Sequence, residues 1–182
     1  MRGINSKNWL SDKRGQVWVE TVIYTLIGLA VIGLVLAGAL PKINQKKDEI
    51  AIEQSIEALG MIDDKIYEVQ RAVGNRRVVT LDVKRGKLIV NMDDNTISWI
   101  LESSFAYSQP GIPVSIGKII VETTGDEKPY LIDLTTEYGL NLKYNGLDEG
   151  FKQLDVAPTP YIFSIENKGK EDDTVVINLN EQ

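Results

Sequence analysis

Twenty consecutive residues, Thr21 to Leu40, carry no charge, and Tyr24 is the one ionisable side chain among them. As an α-helix rising about 1.5 Å per residue, this segment is about 30 Å long, the thickness of a bilayer's hydrocarbon core. Pro41 and Lys42 close it, and proline is where a helix bends or restarts. Small residues recur as Gly28, Ala30, Gly33, Ala37 and Gly38. The Gly33-x-x-x-Ala37 spacing lets two helices approach closely, so self-association is expected here, through Gly28, Gly33 and Ala37.

From Ile43 to about Val73 the pattern becomes amphipathic. Ile52, Ile56, Leu59, Ile62, Ile66, Val69 and Val73 follow at steps of three or four, with charged residues between them. Such a stripe packs on whatever domain follows, and Gly74-Asn75 is a stop signal. The two stretches together read as one helical rod of roughly fifty residues, kinked near Pro41.

Beyond Asn75 the hydrophobic period falls to two. Val78–Val83 and Lys87–Met92 flank Lys84-Arg85-Gly86, which predicts a hairpin, and Asp93-Asp94-Asn95 predicts a turn before Ile97–Leu101. Further strands are expected at Ile116–Glu122, Tyr130–Leu134, Leu140–Tyr144, Tyr161–Ile165 and Val175–Leu179. Turns are expected at Thr124-Gly125-Asp126, Asn145-Gly146 and Asn167-Lys168-Gly169, among others. The fold class is therefore α+β: a long N-terminal helix followed by a small antiparallel β-sandwich or barrel.

Composition removes several function classes. The chain has no cysteine and no histidine, which excludes thiol nucleophiles, disulfides, most zinc sites and the commonest general base. Acidic pairs such as Asp93-Asp94, Asp126-Glu127, Asp148-Glu149 and Glu171-Asp172-Asp173 fall in expected turns and lack calcium-loop spacing. No phosphate loop or nucleophile elbow is present. No enzyme activity, cofactor or metal site is expected. The net charge is −6, with a local balance of +3 over residues 1–15 leaving about −9 for the rest. An acidic body repels nucleic-acid phosphates, so no nucleic-acid partner is expected either.

Three features coincide just before the apolar segment. Lys13-Arg14-Gly15 is a basic run ending in glycine, Gln16 begins the next stretch, and Glu20 is the last charge before Thr21. A carboxylate at that depth needs a partner or must neutralise, and a free amino terminus on a neighbouring copy is an obvious one. This pattern resembles the class III signal sequence of type IV pilin-like proteins, especially archaeal pilins and archaellins. Trp18 stands where that family often has serine.

The resemblance implies cleavage by a prepilin peptidase between Gly15 and Gln16, guided by Lys13 and Arg14. It implies that Glu20 compensates the amino group of an adjacent subunit in a surface filament. A pilus assembly ATPase and its membrane platform are the implied partners, with membrane lipid around the precursor. The implied organisation is a leader over 1–15, an assembly helix over 16–41, its amphipathic continuation over 42–75 and an extracellular β domain over 76–182. The implied location is the cell membrane for the precursor and the cell surface for the filament. Two other readings stay open from the residues alone. Ala37-Gly38-Ala39 resembles a secretory cleavage site, and the apolar segment also suits a plain single-pass anchor carrying a β domain that binds a ligand without polymerising.

Overall fold

The computed structural model describes residues 12–182, with side chains from Val17 onward. One helix, α1, runs from Asp12 to Gln70. It continues through Pro41, whose ring nitrogen has no hydrogen to donate to the carbonyl of Ala37. The chain divides into two compact units between Ile43 and Asn44, so the second half of α1 belongs with the strands.

Within that second unit the amphipathic stripe is buried. Ile52, Leu59, Ile62, Ile66 and Val69 are each no more than 2% exposed and join one core with residues of both sheets. Covering five such side chains contributes on the order of 10 kcal/mol, an upper figure because the unfolded chain already hides some of that surface. Ile56 is half-buried at the edge of this core, and Val73 is exposed because α1 has already ended. The end is fixed from the sheet. The buried Asn167 donates through Nδ2 to the carbonyls of Val69 at 3.0 Å and Gln70 at 3.4 Å. Gly74, at φ +80°, turns the chain away and donates its N–H to the Asn167 carbonyl at 2.9 Å.

Ten strands follow in two sheets. The four-stranded sheet has the order β1 (Arg76–Leu81), β9 (Tyr161–Glu171), β10 (Thr174–Glu181), β7 (Asn141–Tyr144). Its β10–β7 pair is parallel and the others antiparallel. The six-stranded sheet is antiparallel throughout, in the order β4 (Val114–Ile116), β5 (Ile119–Thr124), β6 (Tyr130–Glu137), β3 (Thr96–Ser103), β2 (Lys87–Asn91), β8 (Phe151–Leu154). The period-two pattern selects the core face: Ile97, Trp99 and Leu101 of β3 and Ile119 and Val121 of β5 are buried. The α+β class stands, as two sheets rather than a closed barrel.

Several local expectations are corrected. Lys84-Arg85-Gly86 is not a hairpin turn, because β1 and β2 lie in different sheets. The glycine is needed there for close approach. At φ +72°, a Cβ on Gly86 would overlap the Ile100 carbonyl oxygen. The expected strand Ile116–Glu122 is two strands, β4 and β5, turning at Gly117-Lys118. Asn167-Lys168-Gly169 is strand, with a register shift opposite Val176 and Ile177, and the turn comes later at Asp172-Asp173. Strand β8 was not anticipated, since Phe151-Lys152-Gln153-Leu154 is too short to declare a period. The turns at Asp93-Asp94-Asn95, at Gly125 and at Asn145-Gly146 are present.

Candidate functional site

The apolar half of α1 has a surface that its own chain leaves uncovered. Every residue from Val17 to Gly38 is exposed, and this is the one helix among the described residues long and apolar enough to cross a membrane. Its threonine hydroxyls are already satisfied within the helix. Thr21 Oγ1 donates to the Val17 carbonyl at 2.9 Å and Thr25 Oγ1 to the Thr21 carbonyl at 2.8 Å. Side chains bonded in this way tolerate an apolar medium. Glu20 differs: its carboxylate is exposed and has no ion-pair partner among the described residues.

The candidate packing residues do not share one face. At about 100° per residue, Gly33 and Ala37 lie about 40° apart, whereas Gly28 lies about 140° from Gly33. Beyond the neighbouring backbone of the helix itself, no described residue lies within 4 Å of where a Cβ would stand on Gly28 or Gly33, and Ala37 is exposed. A close approach between helices can therefore use Gly33 with Ala37, but Gly28 would serve a different neighbour. The backbone of Lys13, Arg14, Gly15 and Gln16 is helical, within α1. Their side chains, and residues 1–11 of the expected leader, lie outside the described residues.

The second unit carries one polar constellation that sequence reading missed. Asp48 lies just before the stripe, among charged residues that the sequence pattern places in solvent, yet it is 7% exposed. Its carboxylate accepts from the Ser104 N–H at 2.6 Å, from the Ser104 hydroxyl, and from the Arg85 guanidinium. Burial pushes this carboxyl upward, but the hydrogen bonds from Ser104 and Arg85 outweigh it and hold Asp48 below the usual carboxylate range. Arg85 also donates to the Glu102 carbonyl at 3.3 Å, while Trp99 Nε1 donates to the Arg85 carbonyl at 2.9 Å. The signal was present in the spacing, because Asp48 is four residues before Ile52 and shares its helix face. The network fastens α1 to the six-stranded sheet and faces no reactive partner.

Lys143 lies 3.5 Å from Asp148 and 3.0 Å from Glu171, and its ammonium is held above the usual lysine range, first by the hydrogen bond to Glu171. Among the described residues no cluster of carboxylates is placed to hold a metal ion. Burial pushes the Tyr138 phenol upward, with the nearby Asp63 adding to it, and its hydroxyl has no partner among the described residues. Comparison with protein families, with curated proteins and with solved structures finds no match to this chain.

Proposed function

We propose that this chain is the structural subunit of a type IV pilus-like surface filament of the archaeal kind, processed by a prepilin peptidase and polymerised through its N-terminal helix. One observation carries the reading: a membrane-length apolar helix whose residues from Val17 to Gly38 are all exposed, with an exposed carboxylate, Glu20, at its beginning that pairs with no described residue. In the precursor, lipid covers that surface. In the filament, other copies of the same helix replace the lipid. Burying the fifteen large apolar side chains between Val17 and Leu40 against neighbours involves roughly 30 kcal/mol relative to water, so the helix cannot stay bare in aqueous surroundings.

In this reading cleavage after Gly15 frees the amino group of Gln16. A carboxylate in hydrocarbon costs about 3 kcal/mol by insertion scales, and a neighbour's amino terminus beside Glu20 offsets it. That requirement makes lateral pairing specific, because only a processed copy supplies the amine. The β domain then serves as the displayed body of the subunit, and the assembly ATPase and membrane platform move subunits out of the bilayer.

Mass spectrometry of the mature N-terminal peptide tests the reading, together with electron microscopy of cells carrying Glu20→Ala. A chain beginning at Gln16, with filaments lost in the variant while processing continues, is the expected result. A mature chain that begins at Leu40 would make it a secreted domain. An uncut Met1 would make it a plain anchor, and abundant normal filaments from Glu20→Ala would remove the pairing mechanism.

A further inference from the structure

The turn after β7 holds the chain's one Asn-Gly pair, Asn145-Gly146. Asn145 at φ +49° and Gly146 at φ +82° make a two-residue turn of the I′ kind. Tyr144 and Leu147 close it, each donating its N–H to the other's carbonyl at 2.9 Å. Asparagine before glycine is a chemically labile pair, because glycine has no side chain to shield its backbone nitrogen from the neighbouring amide. Once it has lost its proton to hydroxide, the Gly146 nitrogen can attack Asn145 Cγ. A nitrogen–Cγ bond forms, the Cγ–Nδ2 bond breaks, and Nδ2 leaves as ammonia with a proton taken from water. Water then opens the cyclic imide at either carbonyl to give aspartate or isoaspartate. The net reaction consumes water, releases ammonia and needs no oxidant.

The end of β10 holds this turn at three points. Asn145 donates its N–H to the Leu179 carbonyl at 2.8 Å, and its Oδ1 accepts from the Glu181 N–H at 3.0 Å. The Gly146 N–H, the group that would attack, donates to Asn178 Oδ1 at 3.0 Å. Asn178 is buried, and its orientation is fixed because its Nδ2 donates to Asn180 Oδ1 at 2.9 Å. The two side-chain contacts act in opposite directions. The Glu181 N–H draws electrons toward Asn145 Oδ1 and leaves Cγ more open to attack. Asn178 quiets the nucleophile, because removing the Gly146 proton forfeits that hydrogen bond and sets an anionic nitrogen against the lone pairs of Oδ1. Asn145 and Gly146 are both exposed, so water and hydroxide reach them.

We propose that Asn145 is a deamidation site held in check by Asn178, a positioning residue that acts through the Gly146 nitrogen. Conversion has a local consequence. Isoaspartate adds a backbone methylene to a turn whose two cross-bonds leave no room for one, and either product places a new carboxylate at the end of β10. In its sheet β7 pairs with β10 alone, so loosening this turn frees an edge of the four-stranded sheet.

The test follows full-length protein incubated in native membranes at neutral pH. Its tryptic peptide Tyr144–Lys152 has Asn145 as its one side-chain amide, so a mass gain on that peptide reports this residue and no other. Chromatography separates the isoaspartate and aspartate products. The expected result is that the folded chain keeps Asn145 over a time in which the same chain unfolded in guanidinium loses it. Asn178→Ala should speed conversion of the folded chain about tenfold, the factor that one hydrogen bond represents. Asp48→Asn, which loosens the domain elsewhere, should leave the rate at the wild-type value and so separates loss of the guard from general loss of stability. Asn180→Ala, at a half-buried residue, frees Asn178 without removing it and should give a smaller rise; it replaces Asn178→Ala if the thermal melt shows that variant unfolded. Equal rates for folded and unfolded wild type overturn the proposal. So does a wild-type rate in whichever guard variant folds, or an equal acceleration in Asp48→Asn.

Discussion

Residues 17–40 and 44–70 of α1 share one backbone geometry but differ in what covers them. In the first stretch large apolar side chains point in every direction and the chain supplies nothing to cover them. In the second, the stripe from Ile52 to Val69 is buried almost completely, and the opposite face is mainly charged with Ile50, Met61 and Tyr67 exposed on it. The difference shows that a helix's pattern specifies its surroundings as much as its own formation. An all-round apolar helix requires a medium, lipid or other helices, that is the same on every side. A striped helix requires a single partner surface, which here the two sheets provide.

The largest expected contrast comes from placing the same carboxylate in each stretch. Leu59→Asp puts a charge into the fully buried stripe and should prevent the β domain from folding, since even Leu→Ala at such a site costs about 3 kcal/mol. Leu34→Asp falls on the exposed apolar half and should leave the thermal melt of the domain unchanged while weakening membrane insertion by about 3 kcal/mol, read as a smaller membrane-inserted fraction. Equal melts for the two variants would abolish the distinction between the stretches.

A smaller effect is expected where the striped half is fastened. Asp48→Asn removes the charge that Ser104 and Arg85 bond, and should cost about 2 kcal/mol in urea unfolding at pH 7. The pH dependence has a definite sign. Folding lowers the Asp48 pKa, so its contribution is complete above the unfolded value of about 3.9 and declines as pH falls through the folded value. The gap between wild type and Asp48→Asn should therefore be constant from pH 5 to pH 7, on the order of the figure above, and narrow in stronger acid. A gap that widened on acidification would mean that burial, and not the hydrogen bonds, governs this carboxyl.

The smallest effect belongs to the far end of the same half. Asn167→Ala deletes the Nδ2 bond to the Val69 carbonyl and should cost about 1 kcal/mol, read as a lower urea midpoint with an unchanged slope. Faster hydrogen exchange confined to the last turn of α1 would sharpen the comparison, because it would show that this helix end owes its order to the sheet. Uniform loss of protection across the domain would refute that local role.

Much of the fold was legible in the residues because two periodicities change cleanly at identifiable punctuation. The stripe from Ile52 to Val69 named the buried face of α1, and alternation named β2, β3 and β6. Misreadings cluster where partner strands decide the outcome. Lys84-Arg85-Gly86 carries hairpin chemistry, but the pairing partner of β1 is β9, more than eighty residues away, and local turn residues hold no information about that choice. Asn167-Lys168-Gly169 has turn composition, yet β10 pairs across it and absorbs the irregularity as a register shift. In the candidate site, the apolar span, Glu20 and the small residues could all be located from sequence, and helical phase then places Gly28 away from Gly33 and Ala37.

By itself the sequence determined that this chain has a membrane-length apolar helix, an amphipathic continuation and an all-strand remainder, because charge absence and hydrophobic period are local properties of consecutive residues. Tertiary structure alone decided that Asp48 would be a buried fastening and not a solvated charge, and that β10 would pair in parallel with β7. Burial and pairing depend on residues far apart in the chain, and folding alone brings them together.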